Sequence, residues 1–234
     1  MNVIKRIGLR MVKKRKKVAI FVDWENVRKE IKNIQDNKNK EKISFNFNDV
    51  DNVEMLIRKA VREGNEQIDK IYFYTAEPLS YVDELERDNA PELKAAIQTY
   101  INDNKSKCED MEKLIPKFRT IIDNFRNKKD FEVRLGKVKL KATESGELYS
   151  EQKQVDMYIG MDIAELVHKW QVKKIIIFSK DTDMIPAIEY AKRNKIEVIL
   201  VHIVEGYKIP NEFENAKYKI IKISLAKEFP RMAR

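Results

Sequence analysis

The sequence contains one cysteine and two histidines in 234 residues. A single cysteine, Cys108, excludes an intramolecular disulfide framework and fits a reducing compartment, so we expect a cytoplasmic protein. Three side chains with nitrogen or sulfur ligands are too few for a conventional zinc site. Apolar runs such as Val18 to Val22 are far shorter than the ~20 residues that a membrane helix needs. We therefore expect no membrane span.

The net charge of +9 is distributed unevenly along the chain. Residues 1–17 carry +8, residues 217–234 carry +5, and the residues between them carry −4. This pattern predicts a basic N-terminal arm (1–17), a domain (18–216) and a basic C-terminal segment (217–234). Basic ends on an acidic body suggest that the ends bind a polyanion such as RNA, while the body holds carboxylates. The alternative for either end is a solvated, lysine-rich terminus. The RNA-binding candidates in the arm are Lys13, Lys14, Arg15, Lys16 and Lys17.

Strand patterns alternate with helical patterns along the chain. Residues 175–178 and 18–22 are uninterrupted apolar runs of the kind buried on both faces inside a parallel sheet. Helical spacing follows each run. The sequence therefore predicts an α/β fold with a doubly wound, mainly parallel sheet. Helical patterns near residues 88–128 predict a helical insertion within the domain.

Aspartates follow the two buried strands. Asp23 comes directly after the run 18–22, and Asp181 and Asp183 come after the run 175–178. Because ligands bind beyond the carboxyl ends of strands in open α/β sheets, these side chains are candidates for a common site. The alternative is that Asp183 or Thr182 only caps the next helix.

A helix predicted from Val155 carries two further carboxylates. At 100° per residue, Asp156 is expected on the apolar stripe that faces the sheet, and Asp162 at the border of that stripe with solvent. Carboxylates that converge repel one another unless a cation or a proton lies among them. Oxygen ligands without nearby histidine or cysteine favour Mg²⁺ or Mn²⁺.

Three segments resemble the NYN domain family, whose members are PIN-like, metal-dependent nuclease domains. They are residues 21–26 (FVDWEN), 153–156 (KQVD) together with Asp162, and 179–186 (SKDTDMIP). The resemblance extends from about Lys17 to about Ile203, with a longer than usual middle, and includes the LabA-like branch. It implies a doubly wound sheet with acids that converge at strand ends and act on RNA.

The resemblance also implies a role for each matching residue. By this resemblance, the residues that hold the metal or its water are Asp23, Asp156, Asp181 and Asp183. The residues that orient these ligands are Asn26 and Ser179, and those that support the site are Lys153 and Asp162. From the residues alone, Asn26 is equally a turn former and Ser179 a backbone partner. For Lys153 and Asp162, the residues alone favour an ordinary surface ion pair.

Two residues depart from the family pattern. Lys180 stands where the family usually has Gly or Asn, which adopt positive φ more readily than lysine. Its charge is also expected near the acids, where it would bind phosphate or replace a metal, and this departure concerns activity more than fold. Trp24 replaces a position that is often small. It either stacks on a base or packs in the core.

These observations predict a divalent-metal-dependent ribonuclease that acts on single-stranded RNA. One alternative is a non-catalytic, RNA-binding regulatory domain with the same fold. A second is an aspartyl phosphatase or phosphotransferase, which needs a nucleophilic aspartate; the Asp23-x-x-Asn26 pattern does not favour it. The oligomeric state stays open, a homodimer included.

Overall fold

The computed structural model describes residues 15–37, 43–143, 145–169, 171–215 and 218–230. Seven strands form one sheet in the order β4-β3-β2-β1-β5-β6-β7. All neighbouring strands are parallel except β3 and β4, which are antiparallel. The strands are β1 (Lys16–Asp23), β2 (Glu66–Ala76), β3 (Phe131–Ala142), β4 (Leu148–Lys153), β5 (Lys174–Phe178), β6 (Glu197–Ile203) and β7 (Lys219–Ile223).

Helices cover both faces of this sheet. A short 3-10 turn, Thr182–Met184, joins β5 to the helix that follows it. The helices are α1 (Trp24–Asp36), α2 (Val50–Arg58), α3 (Tyr81–Glu86), α4 (Pro91–Asp103), α5 (Lys105–Arg126), α6 (Val155–His168), α7 (Ile185–Arg193), α8 (Asn211–Asn215) and α9 (Leu225–Glu228). The predicted α/β fold with a mainly parallel sheet is confirmed.

The central strand β1 divides the core in two. Val18, Ile20 and Val22 pack with α1, α2 and α5 on one face of the sheet. Ala19 and Phe21 pack with α6 and α7 on the other face. Because successive side chains of a strand point to opposite faces, a strand buried on both sides needs an uninterrupted apolar run. The sheet is doubly wound, as predicted.

The strand order reverses between β1 and β5. From β1 the chain builds outward to β2 and β3 on one side, and then returns to build β5, β6 and β7 on the other. Connections leave β1 and β5 toward opposite faces at such a switch point, so a crevice opens at their carboxyl ends. Asp23 ends β1 at this crevice, and residues 179–183 follow β5 there.

The long connection between β2 and β3 contains the predicted insertion. Helices α4 and α5 occupy most of residues 88–128, and α3 precedes them. The C-terminal end of α5 is held on the sheet by Phe125, whose ring stacks on Phe73 of β2 with centroids 4.6 Å apart. The insertion therefore packs against the carboxyl half of β2, next to the crevice.

The N-terminal boundary of the domain differs from the prediction. Strand β1 begins at Lys16, so Lys16 and Lys17 belong to the sheet rather than to an arm. Lys16 forms an ion pair with Glu197, and the Lys17 ammonium group donates to Asp69 at 2.7 Å. A count of charges cannot detect a strand whose first two residues are basic. Lys13 and Lys14 lie outside the described residues.

The C-terminal boundary also differs. Residues 217–234 were predicted as a separate basic segment, but β7 pairs with β6 and α9 follows it. Leu225 and Phe229 are buried in the core. The basic composition comes from residues such as Lys219 and Lys222, which are exposed on an edge strand where lysine prevents pairing with another chain.

Gly136 lets β3 approach the start of α6. A Cβ atom at this position would lie 2.6 Å from Val155 Cγ2 and 2.7 Å from the carbonyl oxygen of Lys153. Because a backbone oxygen moves only with its chain, we expect Gly136→Ala to lower the free energy of unfolding by about 1–3 kcal/mol. Urea denaturation measures this change.

Gly160 provides the matched control, since it lies within α6 and a Cβ atom there meets nothing within 4 Å. Gly160→Ala should raise the free energy of unfolding by about 0.5–1 kcal/mol, because alanine favours a helix interior. If both variants change stability by the same amount, the contact at Gly136 does not limit the packing of α6.

Candidate carboxylate site

Asp23 connects the carboxyl ends of β1 and β5. The residue is only 7% exposed. One carboxylate oxygen accepts from the backbone N–H of Asn26 at 3.2 Å and so caps α1. The other accepts from the Ser179 hydroxyl at 3.4 Å. Asp23 therefore caps α1 and also lies in the crevice.

The turn after β5 is fixed by short-range hydrogen bonds. The backbone N–H of Asp181 donates to Ser179 Oγ at 3.1 Å, and that of Asp183 donates to Asp181 Oδ1 at 2.9 Å. The Asn26 side-chain oxygen accepts from the backbone N–H of Lys180 at 3.3 Å. These contacts join the turn to the N-terminus of α1, and they place Asn26 and Ser179 beside the candidate carboxylates.

Asp156 lies in the first turn of α6, but its side chain is exposed. The prediction that it faces the sheet is wrong. The helix turns Val155 inward instead, against Gly136 of β3. Gln154, which precedes the helix, has a left-handed conformation with φ 78°. A non-glycine residue rarely adopts this region, so the entry into α6 is a constrained feature of the backbone.

The four predicted carboxylates influence one another electrostatically. Burial raises the pKa of Asp23 from 3.8 to about 6, and the charges of Asp156 and Asp181 add to this rise. The hydrogen bonds from Asn26 and Ser179 lower it in part. The pKa of Asp156 is also raised, first by desolvation and then by the charges of Asp181 and Asp183. Carboxylates from three separate elements are thus close enough for the charge of one to raise the pKa of another.

The donors fit a divalent cation, although they do not form a closed cage. Within the described ranges, no group of three acidic, histidine or cysteine side chains is arranged to hold a metal ion together. Mg²⁺ commonly keeps several waters and is bound by one or two carboxylates and by substrate phosphates. In chemistry the candidate donors, which are all carboxylate oxygens, therefore suit Mg²⁺ or Mn²⁺, with water or phosphate oxygens as the remaining ligands.

Lys180 does not enter this cluster. Its ammonium group pairs with Glu30 of α1 and donates to the carbonyl oxygen of Tyr207 at 2.5 Å. The side chains of Lys180 and Glu30 are only 10% and 4% exposed. Among the described residues other than glycine, only Gln154 and Lys195 have positive φ. The expectation that Lys180 strains the turn and brings charge to the acids is wrong, because a buried partner on α1 holds it.

We expect Lys180→Met to lower the free energy of unfolding by about 3–5 kcal/mol, because it removes the cation beside a buried carboxylate. Combining it with Glu30→Gln should cost less than the sum of the two single changes. Chemical denaturation of the parent, the two single variants and the double variant measures this coupling.

Lys113→Met serves as the control, since Lys113 pairs with Asp110 on the exposed surface of α5. It should change stability by less than about 1 kcal/mol. Equal losses for Lys180 and Lys113 would contradict the buried pair.

Asp162 is a buried carboxylate on the inner face of α6, not a residue at the solvent border. It is 8% exposed and accepts from the Tyr74 hydroxyl at 2.7 Å and from Arg134 Nε at 3.2 Å. Lys153 pairs with Glu151 instead. The interpretation of Lys153 and Asp162 as a surface pair is therefore wrong. Asp162 ties α6 to β2 and β3, and Tyr74 is the register partner of Asp23.

Sequence analysis did not detect Tyr74 or Arg134. The available signal was the alternation of Tyr72 and Tyr74 in β2, which places two hydroxyl-bearing rings on the face that α6 covers. Nothing local indicated that their partner would be a carboxylate 88 residues away.

The match to known families covers nearly the whole chain. Residues 17–224 match the NYN domain. The chain belongs to the NYN domain family. NYN domains are PIN-like domains of a nuclease family, which agrees with the sheet topology described above. The resemblance seen in the sequence is confirmed, whereas the LabA-like branch stays a prediction.

No curated protein matches the sequence. A crystal structure of a protein of unknown function from Vibrio parahaemolyticus is similar, with 16% identity and a TM-score of 0.46, over 90% of this chain and 94% of that one.

Trp24 of this NYN domain packs between aromatic neighbours. It is 7% exposed, and its ring centroid lies 5.4 Å from that of Phe73 and 6.4 Å from that of Phe47. The interpretation of Trp24 as a core residue thus describes its main contacts. No helix in the described part of the NYN domain is long and apolar enough to cross a membrane.

Proposed function

We propose that this NYN domain is a divalent-metal-dependent ribonuclease that hydrolyses phosphodiester bonds of single-stranded RNA. The observation that carries the proposal is the position of Asp23 and of the turn 179–181 at the switch point of the sheet, where the Ser179 hydroxyl donates to Asp23 and accepts from the backbone N–H of Asp181. Burial and then the charges of Asp156 and Asp181 raise the pKa of Asp23 there. Carboxylates held in one field are unfavourable unless a cation neutralises them. An RNA phosphate brings further negative charge, so one cation would neutralise both the carboxylates and the phosphate.

The environment of each residue in the site indicates a different role in the reaction. A bound Mg²⁺ or Mn²⁺ would lower the pKa of a water molecule and neutralise charge on the phosphate. Asp23 and Asp181 would hold the ion. Asn26 and Ser179 hold the Asp23 carboxylate in place through hydrogen bonds, and Ser179 also fixes the turn that contains Asp181. Asp156 is open to solvent and has a raised pKa, so it suits the acceptance of a proton from water.

The basic N-terminal residues would bind the RNA backbone outside this centre. Arg15 is exposed, and we assign phosphate contacts to it together with Lys13 and Lys14. Lys16 and Lys17 are less suitable, since both are paired with acids at the end of β1 opposite Asp23. Phosphate contacts of this kind make affinity fall with salt concentration.

The second candidate is an RNA-binding domain without catalysis. The observation in its favour is that, in the described part of the chain, no three potential ligands are arranged around one ion. Incubation of the purified protein with end-labelled single-stranded RNA separates the two. Ribonuclease activity predicts cleavage with Mn²⁺ or Mg²⁺ and none with EDTA. Binding without cleavage in either metal would favour the second candidate.

A further inference from the structure

A large cleft lies beside the carboxylate site and has no part in the chemistry proposed above. It has a volume of about 620 Å³ and opens between α1, α5 and the edge formed by β2, β3 and β4. Trp24 lines this cleft and directly follows Asp23 in the chain. Along the chain, the lining of the cleft therefore begins one residue after Asp23, although none of the candidate carboxylates lines the cleft itself.

Aromatic rings form the floor of the cleft, and the insertion forms its outer wall. The Trp24 and Phe73 rings are in contact, and Phe73 stacks on Phe125. On α5, Leu114 is 52% exposed, and both Leu114 and Phe118 line the cleft. These floor rings are themselves buried, and the partly exposed Phe47 and Phe118 lie in the lining with them. A flat ring that enters would therefore contact Phe47, Phe118 and Leu114, which are the kind of aromatic and apolar surfaces on which nucleobases stack.

Polar groups are interspersed among the apolar ones. Asn48, Thr75, Ser150 and Gln152 line the same cleft and offer amide and hydroxyl groups. A mostly apolar pocket with a few convergent hydrogen-bonding groups is typical of a site for a small molecule or a nucleotide. The volume also falls within the range of about 300–1,000 Å³ that such sites occupy.

The charges around the cleft favour a weakly anionic ligand. Three basic residues, Arg28, Lys29 and Lys117, oppose two acids, Glu25 and Glu77. Arg28 donates to both carboxylate oxygens of Glu25, at 2.8 and 2.7 Å, which neutralises that acid. Within the described ranges, the exposed Lys117 makes no hydrogen bond or ion pair. Lys117 is thus available for a phosphate at the rim.

We propose that this cleft is a nucleobase subsite that holds one unpaired base of the RNA strand whose phosphodiester lies at Asp23. The inference rests on the proposed function, since it takes RNA as the ligand. Aromatic rings, base-edge partners and Lys117 at the rim match a nucleotide, whereas an apolar peptide would leave the amide and hydroxyl groups unused. A base enters such a cleft only when it is unpaired, so occupation of the cleft would favour single-stranded RNA.

Abasic scanning tests the subsite directly. Affinity is measured in Mg²⁺ for ten-nucleotide single-stranded RNAs that each lack one base, with Asp181→Asn as the background so that the strand stays intact. Loss of one stacked base should lower affinity about 5- to 100-fold at one position only. Leu114→Glu places a charge on the wall of the cleft. In this variant, loss of the base at the critical RNA position should lower affinity no more than loss of any other base.

Val82→Glu is the matched control. Val82 is 51% exposed, lies on α3 and does not line the cleft, so this variant should keep the position-specific loss. A second readout uses fluorescence. The chain has two tryptophans, Trp24 and Trp170, so a Trp170→Phe variant reports on Trp24 alone. Intact RNA should quench this fluorescence more than RNA that lacks the critical base.

The outcomes separate this proposal from the ribonuclease. If every abasic position has the same effect in a protein that cleaves RNA, the subsite is overturned and the ribonuclease stands. If one position is critical but the parent never cleaves, the subsite stands and catalysis is overturned. If an apolar aromatic peptide quenches Trp24 and RNA does not, the cleft binds protein and the proposal fails.

Discussion

Replacing Asp23 by Asn should reduce the rate of metal-dependent RNA cleavage by roughly 1,000-fold, and Asp181→Asn should do the same. Each change removes a negative charge that attracts the ion, and the metal contributes several kcal/mol to transition-state stabilisation. Asparagine caps helices as well as aspartate does, so α1 and the turn after β5 should keep their structure. Single-turnover cleavage of labelled RNA at saturating protein measures the loss.

An exposed aspartate provides the control for these variants. Asp123 lies on α5 and pairs with Arg126 on the surface. Asp123→Asn should cleave RNA at the parental rate. Circular-dichroism spectra should be the same for all four proteins. If Asp23→Asn and Asp181→Asn cleave as fast as the parent, the carboxylates identified here are not the catalytic site.

The stability of the metal-free protein should decrease as the pH rises through about 6. Burial raises the pKa of Asp23 to about 6 in the folded state, whereas the ordinary pKa of an aspartate is 3.8. The folded protein therefore binds more protons than the unfolded chain between these values. The stabilisation is complete below pH 3.8 and is lost as the pH rises through 6. A rise of about two units corresponds to about 3 kcal/mol at most.

Asp23→Asn removes the part of this dependence that comes from Asp23. In EDTA, the variant should equal the parent in stability near pH 4 and exceed it by up to about 3 kcal/mol at pH 7. Urea unfolding at both pH values measures the difference. Mn²⁺ should then raise the melting temperature of the parent at pH 7, since it binds only the folded state, and should have little effect on Asp23→Asn. A variant that is less stable at pH 7, beside a parent indifferent to metal, would show that Asp23 is only a helix cap.

Strand composition predicted the sheet and two of its carboxylates because both depend on local rules. An uninterrupted apolar run such as 175–178 is buried on both faces of a parallel sheet. Residues that follow such strands lie at the carboxyl edge whatever their side chains contact. Asp23 and Asp181 were therefore placed correctly at the switch point without knowledge of the packing.

The orientation of α6 could not be read from its periodicity. Val155 and Asp156 lie 100° apart on the helix, and which of them turns inward depends on the contact with Gly136. Asp162 is buried because Tyr74 and Arg134 arrive from two other strands. An angle on a helical wheel contains no information about hydroxyl or guanidinium groups on distant elements.

Lys180 and the cleft depend on contacts between distant parts of the chain. The partner of Lys180, Glu30, lies 150 residues away, and only the folded α1 brings them together. The cleft is lined by α5, whose C-terminal end stacks on the sheet through Phe125 and Phe73. Sequence analysis predicted the insertion as a set of helices, but it gave no information about the surface against which α5 packs.

Titration with Mn²⁺ tests the central claim most directly, because it depends on neither an RNA sequence nor a cleavage assay. Electron paramagnetic resonance detects free Mn²⁺, so its signal gives the bound fraction for the parent and for Asp181→Asn at pH 7. A carboxylate site predicts saturable binding to the parent and an affinity at least about 10-fold lower for the variant. Equal binding by the two proteins, or no saturable binding by the parent, would contradict a metal site at Asp23 and Asp181.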